Sequence, residues 1–103
     1  MLLLATPLVH AQQNSNVSYA LNGVAFGAAI AYCHAKYGPI NPNSKGGNCF
    51  YRARDSLAQI DLTDRAMKIT KQCPNQATLN TCMTPKMSDV AYEILRLFDA
   101  QHL

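Results

Sequence analysis

The sequence predicts an all-α fold, a compact bundle of four to five helices stapled by two disulfides. Apolar residues recur every three or four positions through most of the 103-residue chain, the spacing of helices that bury one side. Four cysteines form an even set in this short chain. With 49% apolar residues the chain can bury a core, and its length suits one domain. A two-domain enzyme is therefore excluded, and disorder is disfavoured.

The first charged side chain is Lys36, so a third of the chain carries no Lys, Arg, Asp or Glu. Leu2–Val9 form a short apolar run, and small residues then occupy the −3 and −1 positions of a signal-peptidase site before Gln12. We therefore expect Met1–Ala11 to be the remnant of a signal peptide and residues 12–103 to form a single helical domain. The protein is then exported from the cytosol. A buried N-terminal helix is the alternative.

The first predicted helix runs from about Val17 to Lys36. Apolar side chains occupy two of its faces, so we expect neighbours to bury it on more than one side. Small residues spaced by four indicate a closely approaching helix, either in this chain or in a second copy: Gly23, Gly27 and Ala31. A membrane span is the alternative, but it needs about 20 strongly apolar residues. Gly38 and Pro39 end the helix, because Gly adopts the left-handed conformation and Pro cannot continue a helix.

Residues Gly38–Asn48 are the clearest predicted loop, since Gly, Pro and Asn make up eight of the eleven positions. Helix two is predicted to begin near Cys49, with Asn48 as its N-cap. Its apolar residues recur at spacings of three, four and three: Phe50, Ala53, Leu57 and Ile60. This spacing predicts an amphipathic helix packed on the core.

The third predicted helix begins at Asp61 or Thr63 and ends at about Cys73, where a proline follows. Acidic residues in its first turn favour this start. Residues Asn75–Met83 are expected to hold a short helical turn.

The last predicted helix has Thr84 as its N-cap and Pro85 at its first position, and it continues to about Gln101. Its apolar stripe is regular: Met87, Val90, Ile94, Leu97 and Phe98. Glu93 and Arg96 are expected to pair at a spacing of three.

The cysteines indicate an oxidising compartment, because an even set in a short chain behind a signal-like segment is typical of disulfides. We favour pairing Cys33 with Cys49 and Cys73 with Cys82, since each bond then brackets one interhelical loop. The crossed pairings remain open. No close Cys pair has the spacing of a structural zinc site, so we expect no metal.

Motifs for catalysis or cofactor binding are missing from the sequence: there is no GxSxG, P-loop or HExxH pattern. We therefore expect no enzyme activity, no catalytic residues and no cofactor. Residues 36–71 carry seven basic and three acidic residues. This surplus either steers an acidic protein partner or simply forms a solvated face. The surplus is too small, and lacks any recognition motif, for nucleic-acid binding.

An exported start, two Cys pairs and an all-helical pattern over residues 17–101 describe a class of small inhibitors. In this general architecture the chain resembles the periplasmic immunity proteins that neutralise amidase effectors of type VI secretion. The resemblance implies a periplasmic protein that occludes the active-site cleft of a papain-like peptidoglycan amidase and protects the producing cell.

The loop 38–48 is the element that we expect to enter such a cleft. The predicted contact residues lie in this loop or just after it: Pro39, Asn41, Asn43, Ser44, Lys45, Arg52 and Arg54. A homodimer through the small residues of helix one is a further expectation. The alternative function is a carrier or cell-envelope assembly component that binds an apolar ligand or a subunit, with an aromatic cavity formed by Tyr19, Phe26, Tyr32 and Phe98.

Overall fold

A computed structural model describes the backbone of residues 2–103 and the side chains from Gln13 onward. The predicted signal-peptide remnant, Met1–Ala11, lies outside the described side chains. Met1 lies outside the described backbone as well.

Most of the described chain is helical, and residues 2–103 contain no strand. Four α-helices follow one another: α1 (Leu2–Tyr37), α2 (Lys45–Ser56), α3 (Leu62–Gln72) and α4 (Leu79–Ala100). Single 3₁₀ turns at Leu57–Gln59 and Gln76–Thr78 precede α3 and α4. The prediction of an all-α bundle with four to five helices is confirmed.

Helix α1 supports the other three helices along one side. Its fully buried residues recur every four positions: Gln13, Val17, Leu21, Ala25, Ala29 and Cys33. Against this stripe pack α2, α3 and α4, and the buried core includes Phe98 and Ile94 of α4. The expectation that α1 is buried on more than one side is wrong, because all three neighbours lie on the same side of it.

Both disulfides form as favoured, Cys33–Cys49 between α1 and α2 and Cys73–Cys82 between the end of α3 and the start of α4. Cys33 and Cys49 are fully buried, whereas Cys82 is half-buried. Each bond closes the connection between two consecutive helices. Together they fix α2 and the first turn of α4 in place.

The predicted end of α1 is confirmed. Gly38 has a φ of 91°, and its N–H donates to the carbonyl oxygen of His34 at 2.9 Å. The C-terminus of the chain packs against this end, because Lys36 Nζ and Tyr37 Oη each donate to the Leu103 carbonyl oxygen at 2.7 Å.

Three helix starts differ from prediction. Helix α1 begins at Leu2 instead of about Val17, so its backbone continues through the expected end of the signal-peptide remnant at Ala11. Helix α2 begins at Lys45 with Ser44 as its N-cap, four residues before the expected start, so the loop shortens to residues 38–44. Helix α4 begins at Leu79, so Pro85 lies inside the helix and the Thr84 hydroxyl bonds to the Asn80 carbonyl oxygen at 2.6 Å. The Cys73–Cys82 bond anchors this extra first turn. The start of α3 is as predicted, because Asp61 caps it through the Asp64 N–H.

Candidate partner-binding surface

The loop between α1 and α2 is held in one conformation by the hydroxyl of Ser44. Ser44 Oγ accepts from the backbone N–H of Gly47 at 2.9 Å and of Asn41 at 3.1 Å, and it lies 2.7 Å from the Asn41 carbonyl oxygen as a donor. The Ser44 N–H also bonds to the Asn41 carbonyl oxygen. A side chain with this many internal bonds supports the loop, and its contact with a partner stays a prediction.

Two glycines allow the loop to fold against the start of α2. A Cβ on Gly47 would collide with the carbonyl oxygen of Asn41, and one on Gly46 would collide with the carbonyl oxygen of Pro39. Both glycines are buried. The close approach explains why two residues of low helix propensity stand in the first turn of α2.

The other predicted contact residues are solvent-exposed: Pro39, Asn41, Asn43, Lys45, Arg52 and Arg54. Asn43 has a φ of 63°, a left-handed conformation that Asn tolerates better than most residues, and it therefore forms the tip of a defined turn. Because an α-helix rises 1.5 Å per residue, Lys45 and Arg52 lie about 10 Å apart along the axis of α2. At 100° per residue, Lys45 and Arg52 lie on one side of α2 and Arg54 lies on the other, so the predicted residues surround the loop and α2. We call this region the loop–α2 surface (residues 39–54).

Positive charge dominates this surface. Residues 36–54 contain four basic residues and no acidic residue, and the next residue, Asp55, is the first acid of the chain. Asp55 makes only a 3.5 Å contact with Arg54, and both side chains are largely exposed. Exposed pairs of this kind hold little energy, so the surface keeps its attraction for acidic groups.

A small apolar cavity of about 180 Å³ opens on the loop–α2 surface. It is lined by Ile40, Asn41, Pro42, Gly47, Phe50 and Tyr51. The sequence does not predict this cavity, because its walls come from both the loop and α2. Only the folded turn brings these walls together.

An aromatic row continues from the cavity onto α1. The ring of Phe50 lies 6.1 Å from that of Tyr51 and 6.3 Å from that of Phe26. The guanidinium of Arg54 lies 5.2 Å from the Tyr51 ring centroid, over its face, as in a cation–π contact. The cavity therefore has an apolar floor and a cation at its edge.

The outer face of α1 is apolar and unpartnered within the described residues. Tyr19 and Ile30 are 84% and 47% exposed on this face, and Phe26 at its edge is 43% exposed and packs against Phe50 of α2. Gly23 and Gly27 lie on this face with no atom within 4 Å of a Cβ built on either. The expectation that these glycines admit a neighbouring helix of the same chain is therefore wrong, since no helix of the described chain covers them.

A second cavity, of about 420 Å³, lies between α3 and α4. Arg65 spans the two helices with two 2.6 Å bonds to the carboxylate of Glu93, instead of the expected pair between Glu93 and Arg96. The hydrogen bonds from Arg65 to Glu93, with the charges of Glu93 and Asp64, raise the pKa of Arg65 above its ordinary value. The guanidinium therefore stays charged and holds α3 to α4.

The aromatic residues expected of a carrier do not share a cavity. Phe98 is fully buried and its ring packs edge-on to that of Tyr32 at 5.5 Å, whereas Tyr19 and Phe26 are exposed on α1. No helix among the described residues is long and apolar enough to cross a membrane. Within the same part of the chain, no group of three or more His, Cys, Asp or Glu side chains is arranged to hold a metal ion.

No protein-family model matches the chain. No curated protein matches it, and no solved structure does either.

Proposed function

We propose that this protein is an exported, partner-binding inhibitor that contacts its target through the loop–α2 surface. Following the resemblance, we propose that it acts as a periplasmic immunity protein. Its target is then a type VI secretion amidase with a papain-like active site, and the loop–α2 surface occludes the cleft of that active site. The two disulfides support an oxidising, exported compartment.

The observation that carries the proposal is the combination of rigidity and charge on the loop–α2 surface. Ser44 and the Cys33–Cys49 bond fix the backbone on both sides of the loop, so little conformational entropy is lost when a partner binds. The exposed side chains of Asn43, Lys45 and Arg52 remain available for contact. Charges at an interface accelerate encounter with an acidic partner.

Growth of cells tests the immunity role. Cells that export a type VI peptidoglycan amidase into their own periplasm should lyse, and co-export of this protein should restore growth. A variant carrying Asn43→Ala, Lys45→Ala and Arg52→Ala should fail to protect. A control variant with Lys68→Ala and Lys71→Ala on α3 should protect as well as the original. Equal lysis with and without the original protein would contradict the proposal.

We also propose that two copies associate through the outer face of α1. Tyr19, Phe26 and Ile30 form an exposed apolar patch on a helix that bears no charge before Lys36, so two copies meet without charge repulsion at this face. Sedimentation velocity should detect a dimer that Ile30→Asp dissociates and Tyr92→Asp, on α4, leaves intact. A monomer at all concentrations would overturn this part of the proposal.

A further inference from the structure

We infer that the Cys73–Cys82 bond is a redox-sensitive latch on the start of α4. While the bond is intact, α4 begins at Leu79. When a dithiol reductant opens the bond, residues 79–83 unwind and α4 begins at Pro85, with Thr84 as its N-cap. The inference goes beyond the proposed function, because it concerns a reducing partner and not the target of the loop–α2 surface.

Local interactions disfavour the first turn of α4. Pro85 has no N–H, so the helix lacks the bond to the carbonyl oxygen of Thr81, four residues earlier. A residue that precedes proline is disfavoured in the helical conformation, yet Thr84 lies inside the helix. The observed N-cap, Thr78, makes no side-chain hydrogen bond to the helix. The first turn therefore depends on contacts outside itself.

Those outside contacts are few. All residues from Pro74 to Pro85 are exposed except Leu79, which is buried, and Cys82 and Met83, which are half-buried. One buried leucine offsets only part of the conformational entropy that is lost when this backbone is ordered. The covalent bond from Cys82 to the end of α3 supplies the main further attachment.

A second start for the helix is present a few residues later. Thr84 is a favoured N-cap residue, and Pro85 suits the first position of a helix, where no bond needs its missing N–H. While the latch is closed, the Thr84 hydroxyl bonds to the Asn80 carbonyl oxygen at 2.6 Å and caps nothing. Once residues 79–83 unwind, this hydroxyl can accept from the N–H of Met87. The buried residues of α4 from Met87 onward keep the rest of the helix in place.

The bond is open to attack from one side. Cys82 is half-buried, whereas Cys73 is only 2% exposed. A thiolate of the dithiol therefore attacks Sγ of Cys82, and the Sγ–Sγ bond breaks with its electron pair on Sγ of Cys73, which takes up a proton. The second thiol of the reductant then forms the reductant's own disulfide and releases Cys82, which is protonated in turn. The protein bond gains two electrons and two protons, and the dithiol loses them.

Hydrogen exchange measured by NMR on the ¹⁵N-labelled full chain tests the latch. The oxidised protein is compared with a sample treated with dithiothreitol until alkylation shows that Cys73 and Cys82 are reduced and Cys33–Cys49 is intact. The amides of residues 82–84, which are paired in the closed helix, should exchange at least about tenfold faster after reduction. The amides of residues 88–98 should keep their rates. A variant with Cys73→Ser and Cys82→Ser should show the same pattern without reductant.

Substitution of Thr84 distinguishes a second helix start from simple fraying. In the Cys73→Ser, Cys82→Ser variant, Thr84→Ala removes the N-cap and should lower the melting temperature by about 4–8 °C. In the original protein it removes only the bond to Asn80, and the melting temperature should fall by less than about 2 °C. Thr81→Ala, at an exposed position in the first turn, is the control and should lower the melting temperature of neither protein.

Three results would overturn the inference. Protection of residues 82–84 that survives reduction would show that Leu79 holds the turn by itself, and loss of protection through all of α4 would show that no second start exists. An equal effect of Thr84→Ala with and without the bond would contradict the new cap. Failure of the Cys73→Ser, Cys82→Ser variant to fold would also count against the latch, because the rest of the fold must survive its opening. These measurements contain no amidase, so their result is independent of the growth assay.

Discussion

Ser44 determines the shape of the loop–α2 surface at the scale of single residues. Its hydroxyl joins the N-terminus of α2 to the loop through Gly47 and Asn41. A serine whose hydroxyl bonds to backbone groups on both sides of a turn caps the following helix and also stabilises the turn.

Replacing Ser44 should show its structural role directly. Ser44→Ala should lower the free energy of unfolding by about 1–2 kcal/mol, the usual cost of a lost N-cap with further bonds attached. Ser88→Ala, at an exposed position inside α4, serves as the control and should have an effect near zero. Urea denaturation measures both, and equal effects would show that the Ser44 bonds contribute no stability.

Two glycines should respond in opposite directions to the same substitution. Gly47→Ala should destabilise the fold, because its Cβ meets the Asn41 carbonyl oxygen. Gly23→Ala should stabilise it by up to about 1 kcal/mol, since Ala is the better helix former and the space at Gly23 is open. Thermal melting of dilute protein, below the concentration of any dimer, measures both. A loss of stability in both variants would mean that Gly23 is not open.

The helix boundaries show what sequence reasoning can resolve at the scale of elements. Residues next to a helix end in the sequence can reveal where the helix begins or stops. Gly38 predicted the end of α1, and Asp61 predicted the start of α3. The start of α2 was placed too late, because Asn48 is also a suitable cap and Gly46 is a poor helix former. The start of α4 was placed too late because Pro85 suits a first turn. Ser44, bonded locally to Asn41 and Gly47, caps α2, and the first turn of α4 holds Cys82 of the Cys73–Cys82 bond.

The Arg65–Glu93 pair should link α3 to α4 with a measurable, modest energy. Both side chains are partly exposed, so Arg65→Ala should cost about 1 kcal/mol or less, and Arg54→Ala, whose pair with Asp55 is looser, should cost still less. Urea denaturation in low and high salt measures the difference. Loss of equal stability in both variants would contradict a specific bidentate link.

The raised pKa of Arg65 also sets an expectation for pH. A group whose pKa rises on folding contributes stability that is fully present below its unfolded pKa and is lost as the pH rises through its folded pKa. For Arg65 that loss falls in strong alkali. The difference in stability between the original protein and Arg65→Ala should therefore stay constant from about pH 7 to pH 9. A difference that shrinks over this interval would contradict the assignment.

At the scale of the whole molecule, a single long helix and two disulfides organise the fold. The sequence favours the observed pairing of the cysteines because each bond closes one loop, although it leaves the crossed pairings open. The all-α class follows from the apolar spacing. The exposed face of α1 could not be predicted, because periodicity shows which residues are apolar and not how many neighbours cover them. The cavity beside Tyr51 depends likewise on the folded loop.

The two disulfides should differ in their resistance to reduction. Cys33 and Cys49 are fully buried, whereas Cys82 is half-buried, so a thiol reagent reaches Cys82 first. Dithiothreitol under native conditions, followed by alkylation and mass spectrometry, should label Cys73 and Cys82 before the other pair. In guanidinium chloride the two bonds should open at similar rates. Earlier labelling of Cys33 under native conditions would contradict the buried position of this bond.

The central claim, that the loop–α2 surface binds the target, is tested most directly by calorimetric titration of the amidase with two charge-matched variants. One carries Lys45→Ala, Arg52→Ala and Arg54→Ala, and the other carries Lys68→Ala, Lys71→Ala and Lys86→Ala on α3 and α4. The first variant should bind at least tenfold more weakly than the original protein, as expected when residues of an interface are truncated. The second should bind within threefold of the original. Equal weakening by the two variants, or weakening by the second alone, would contradict the claim.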